Sequence, residues 1–137
     1  MWTCPKCQRS FRTNNQSHMC NDLTVEDIFA GKPDDLQLAF DDVLLAVMDW
    51  QPNDVGAAAK AIVFTNTRAW LIVRPMSKLL ELSFYTDSIL TGPMIHKSGP
   101  NMNSKTKFRH SIRISGPGQI TPEIVDMLKL GYDYGLR

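Results

Sequence analysis

Three cysteines are all the chain has, and they stand within its first twenty residues: Cys4, Cys7 and Cys20, with His18 beside the last. They read as C-x2-C-x10-H-x-C. Thiolates and a neutral imidazole are the ligands of a structural zinc, and four of them close a tetrahedron with no open position. C-x2-C lets two sulfurs grip one ion from a tight turn, which Pro5 stiffens. His18 and Cys20 are two apart, so they point the same way in an extended segment and diverge by about 200° on a helix. This spacing predicts a zinc knuckle with Trp2 and Phe11 as a miniature core, not a base-reading finger helix. The expected cofactor is a structural Zn2+ held by Cys4, Cys7, His18 and Cys20.

A second set of residues could bind anions. Net charge is +1, but its distribution is uneven. Nine acidic residues and one base, Lys32, fall between Asp22 and Asp54, while Ser88 to Pro122 has no acid at all. That second stretch carries Lys97, Lys105, Lys107, Arg109 and Arg113, with His96 and His110. Together with Lys60 and Arg74 they are the candidate anion-binding residues, and nucleic acid or another polyanion is the partner such a surface meets. A solvated basic face is the plainer alternative.

The elements that must position these residues follow from periodicity. Thr24 to Ala30 reads as a short helix capped by Thr24, with Glu26 and Asp27 at its positive end. After Pro33, Leu36, Phe40, Val43, Leu44 and Val47 recur at helical spacing, with Asp41, Asp42 and Asp49 opposite. "KAIVFTNTRAWLIVRP" predicts a hairpin turning at Asn66 and Thr67. Lys78 to Thr86 is a third strand and Phe108 to Ser115 a fourth. In the fourth, Phe108, His110, Ile112 and Ile114 share one face, and Arg109, Ser111, Arg113 and Ser115 the other. In the second strand, Trp70 alternates with Arg68 and Arg74. It belongs either to the core or to a stacking platform for single-stranded nucleic acid. A segment rich in Gly, Pro, Asn and Ser, Asp87 to Lys107, separates strands three and four, and a loop of that length is usually functional or mobile. Thr121 caps a last helix with Pro122 in its first turn. The fold class is therefore α+β: a four-stranded antiparallel meander with helices on one face. The expected domains are a zinc knuckle over residues 1–21 and the α+β domain over 22–137.

The opening stretch, with "FAGKP" (Phe29 to Pro33) and "KAIVF" (Lys60 to Phe64), resembles the bacterial family catalogued as domain of unknown function 5655. Its members look like a W-x-C-P-x-C-x-R-x-F…Q-x-H-x-C knuckle joined to a small α+β domain. The resemblance implies Cys4, Cys7, His18 and Cys20 as ligands, with Arg9, Phe11 and Gln16 at accessory positions. Gln8 stands where relatives often carry glycine. The resemblance implies no established activity. At the level of fold alone, the α+β meander is also similar to small bacterial frataxin-like iron-chaperone domains, and fold alone does not carry function.

Three function classes remain in view. The first is a non-enzymatic binding or adaptor module with an anionic partner. The second is a small enzyme using Lys60 and His110 beneath the Asp87–Lys107 segment. No cysteine remains outside the knuckle for thiol chemistry, and no G-x-S-x-G, P-loop or dinucleotide turn is present. The third is an iron carrier using Asp41, Asp42 and Asp49. No apolar run approaches the roughly 18 residues of a membrane span, and the N-terminus does not read as a signal peptide. A cytoplasmic location away from membranes is expected.

Overall fold

The computed structural model describes residues 2–5, 10–11, 24–58, 60–100 and 106–137. Two short strands, β1 (Trp2–Thr3) and β2 (Ser10–Phe11), pair antiparallel, with Trp2 opposite Phe11. Two helices follow. In α1 (Val25–Phe29) the Thr24 hydroxyl accepts from the Asp27 amide at 3.2 Å, and the Asp27 carboxylate accepts from the Thr24 amide at 2.9 Å. This reciprocal cap fits so short a helix, because it satisfies two otherwise orphaned donors. In α2 (Asp34–Val47), Leu36, Ala39, Phe40, Val43 and Val47 form one buried stripe.

Six strands make the main sheet: β3 (Asp54–Ala58), β4 (Ala61–Thr65), β5 (Ala69–Pro75), β6 (Leu80–Thr86), β7 (Lys97–Pro100) and β8 (Phe108–Ile114). Their order is β3-β4-β5-β6-β8-β7, antiparallel throughout. The last element is α3 (Pro122–Gly135), capped by the Thr121 hydroxyl.

The four-stranded expectation is therefore corrected to six. β3 and β7 are the two edges, and neither carries a strong strand signal. "DVGAA" offers glycine and alanines where β-branched residues mark a strand, and "KSGP" contains a proline, which sheets tolerate at an edge. β7 lies inside the expected loop. The chain leaves β6, passes outward, and returns so that β8 inserts between β6 and β7.

All three helices cover one face of the sheet, as expected. That face buries Ile62, Phe64, Leu71, Val73, Leu80, Leu82, Phe84, Ile112 and Ile114 against Ile28, Phe29, the α2 stripe, and Ile124, Leu128 and Tyr132. One irregularity changes a predicted face. Phe64 pairs with Leu71 but Thr65 with Ala69, so Trp70 is an extra residue in a β-bulge. Trp70 and Leu71 both turn into the core. The Trp70 ring meets Phe64 and Tyr132 edge-on, and its Nε1–H donates to Asn53 Oδ1 at 3.1 Å. Trp70 thus takes the core role and leaves the face it would share with Arg74 by simple alternation.

Candidate anion-binding face

The opposite face of the sheet has no helix among the described residues, and its residues are set by strand register. Arg74 on β5, Glu81 on β6 and Arg113 on β8 lie side by side. The next row along the strands is Ile72, Ser83, Ser111 and Lys97. Beyond it come Tyr85, Arg109 and Gly99. Three strands that are remote in sequence therefore deliver four cations to one patch.

Glu81 is the one carboxylate in these rows and is only 8% exposed. It accepts from Arg113 Nε at 3.2 Å and lies 3.8 Å from Arg74 Nη1. Arg109 Nη2 donates to Ser83 Oγ at 3.2 Å. Arg109 Nε is buried and has no acceptor among the described residues. Lys107 Nζ stands 4.4 Å from the centre of the Tyr85 ring, a cation–π contact at the margin of the patch. Between these groups and the raised edge strand β7 is an open recess of about 410 Å³, bordered by Arg74, Glu81, Lys97, Arg109 and Arg113. The His96 amide donates to the Ser111 carbonyl at 2.7 Å and holds the entry to β7 against β8.

His110 belongs to the other side. It is fully buried beneath the helices, with its ring 5.2 Å from that of Phe84. Its Nε2 lies 2.8 Å from Thr86 Oγ1, and that hydroxyl donates to the Ser88 carbonyl at 2.6 Å. A hydroxyl has one proton, so Nε2–H must be the donor to Thr86. Nδ1 lies 2.6 Å from Ser98 Oγ, which is also 3.2 Å from the Leu90 carbonyl. In the neutral ring the Ser98 proton turns to Nδ1. Burial lowers the His110 pKa from its ordinary value, and a backbone contact with Ser88 opposes this in part. His110 thus pins β7 and the segment after β6 to β8. It is a structural histidine and does not reach the open face.

The predicted residues are now distributed as follows. Arg74, Lys97, Arg109 and Arg113 come together, and Lys107 flanks them. Lys60 is exposed at the β3–β4 turn, on the far side of the sheet. β4 lies three strands from β8, about 14 Å at ~4.8 Å per strand, so Lys60 and His110 form no common site. Lys105 lies outside the described residues. So do Cys7, His18 and Cys20, while Cys4 is buried just after β1. Asp41 is exposed on α2 and Asp49 just after its end, and Asp42 Oδ2 accepts from the Gly118 amide at 2.8 Å. Among the described residues, no group of three or more His, Cys, Asp or Glu could hold a metal. Sequence reasoning missed Ser83, Tyr85 and Gly99 as members of the face. The alternation of "LELSFYT" carries the first two, because Glu81, Ser83 and Tyr85 share one side. Gly99 depends on β7, for which the sequence has no signal.

No curated protein and no solved structure shows a match to the chain. A family profile described as Domain of unknown function (DUF5655) matches residues 25–135. The match spans both long helices and the whole six-stranded sheet, and the chain belongs to that family.

Proposed function

We propose that the protein is a non-enzymatic binding module whose open sheet face engages an anionic partner, a nucleic-acid strand. One observation carries this reading. Arg74, Lys97, Arg109 and Arg113 are gathered from three strands onto one face that has no helix among the described residues, against the single carboxylate of Glu81. Cations held this close repel one another, and a fold that assembles them gains most when an anion neutralises them. Arg109 and Arg113 stand four residues apart on β8, about 13 Å at ~3.3 Å per residue, within reach of non-adjacent phosphates. Phosphate contacts position a strand without reading its bases, so sequence preference is expected to be weak.

A structural zinc on Cys4, Cys7, His18 and Cys20 is part of the same proposal. Its support is the ligand spacing, the burial of Cys4, and the antiparallel pairing of β1 with β2 next to it.

The binding experiment is fluorescence anisotropy of a labelled single-stranded oligonucleotide across a salt series. Three or four neutralised phosphates give a log–log slope of about −2 to −3. The Arg109→Glu/Arg113→Glu double variant is expected to lose binding. No binding by the wild type at low salt, or equal binding by the variant, defeats the proposal.

A further inference from the structure

We infer that the recess beside Arg109 is a seat for one terminal phosphate group, a dianionic phosphomonoester, and not merely a stretch of a backbone track. The inference rests on the anion-binding reading and goes further by naming the group recognised. A track needs only point charges at the surface, which exposed Lys97, Arg74 and Arg113 supply. Arg109 differs from them. Its side chain is half-buried, Nη2 is held by Ser83, and Nε–H is buried without an acceptor among the described residues. Buried donors are almost always paired, and this one, on a residue that borders the recess, lacks its acceptor among the described residues. A guanidinium whose Nε–H is free grips two oxygens of a planar or tetrahedral anion side by side, which an ammonium cannot do.

The shape of the site favours an end group. β7 stands along one side of the recess as a wall, with Gly99 opposite Arg109. Diester oxygens of a strand lying across the face meet the rim, where Arg74 and Arg113 are. An oxygen that reaches Arg109 Nε has to enter the recess, as a terminal group does. The charge agrees with this. Four cations around one carboxylate are better balanced by a phosphomonoester, which carries nearly two charges at neutral pH, than by a diester, which carries one.

Gly99 provides a way to close the seat without touching an arginine. A Cβ added there meets nothing within 4 Å, and its backbone is not in the left-handed region. Gly99→Asp therefore places a tethered carboxylate opposite Arg109 at little steric cost. Arg109→Lys keeps the charge and removes the fork.

The test compares 5′-phosphorylated and 5′-hydroxyl oligonucleotides of one sequence, with inorganic phosphate at pH 8 as a third probe, on the full chain. The phosphorylated strand is expected to bind roughly tenfold more tightly, the worth of one charge-assisted contact. Inorganic phosphate is expected to bind saturably and to shift the Arg109 Nε–H resonance. Arg109→Lys and Gly99→Asp should each abolish the tenfold preference, with thermal unfolding reporting that each variant is folded. Arg109→Lys should keep most of the salt-dependent affinity. Equal binding of the two strands by the wild type overturns the seat and leaves the nucleic-acid reading standing. Saturable phosphate binding with neither strand bound defeats the nucleic-acid reading and upholds the seat.

Discussion

Glu81 sits under the basic face and holds two of its arginines, so its charge should act on stability and on anion affinity in opposite directions. Glu81→Gln keeps the volume and one acceptor oxygen while removing the charge. The two ion pairs reach arginine side chains that are 45% and 36% exposed, which discounts them well below a buried pair. A loss of about 1 kcal/mol is expected. In a domain of this size that lowers Tm by about 4 °C. For affinity, place an anion midway between Arg109 and Arg113, about 7 Å along β8 from each. Glu81 faces Arg113 across one strand spacing, so it stands about 8 Å from that anion. Repulsion per unit charge is then about 0.5 kcal/mol in bulk water and about 2 kcal/mol at an effective dielectric of 20. For a dianion the range doubles, and a gain of about 1.4 kcal/mol, or tenfold, lies near its lower end. Low ionic strength is needed, because the Debye length at physiological salt is itself about 8 Å. Titration calorimetry with inorganic phosphate, alongside a thermal melt, reads both effects. Unchanged affinity would show that the anion does not sit in the recess. Affinity falling with stability would show that Glu81 acts by positioning the arginines.

Burial holds the His110 pKa below its ordinary value, so the unfolded chain binds that proton more readily than the folded one. Its contribution to stability is complete above about pH 7 and is lost as pH falls below the unfolded value of about 6.5 toward the lower folded one. Urea midpoints should therefore be lower at pH 5.5 than at pH 7.5, and His110→Phe should remove much of that difference; a slope unaltered by the substitution refutes the assignment. Gly135→Ala would bring a Cβ to 2.8 Å from both Trp70 Cβ and Asn66 Oδ1. Overpacking costs about 1–3 kcal/mol, more than the roughly 1 kcal/mol that alanine gains over glycine in a helix. Denaturant titration should show net destabilisation, and a more stable variant would mean that α3 sits further from β5. Protein prepared without chelator should carry one zinc per chain, and chelation should melt the N-terminal segment before the sheet; well under one equivalent by elemental analysis rules the zinc site out.

What the sequence declares about this molecule is which side of an element a residue occupies. "LELSFYT" and "FRHSIRI" alternate cleanly, and each apolar set is found under the helices. The capping residues Thr24 and Thr121 are legible for the same local reason, since a cap acts on amides two or three residues away. What the sequence withholds is register between distant strands. Glu81 could be imagined beside Lys60 or His110. In the sheet it lies between Arg74 and Arg113, because the odd positions of β6 share the open face and His110 faces the core opposite Phe84. Trp70 escapes alternation because a bulge adds one residue and turns its side chain inward, and bulges carry no reliable signature. β7 is the most consequential omission. Four residues with a glycine and a proline make a strand only because β8 offers an edge to pair with and the part-buried Ser98–His110 contact holds them there. That pairing turns a flat basic face into a recess, raises Lys97 alongside Ser111, and sets Gly99 opposite Arg109. The candidate site thus depends on the element with the weakest sequence signal, and the buried histidine contributes to it by fixing the strand that forms its wall.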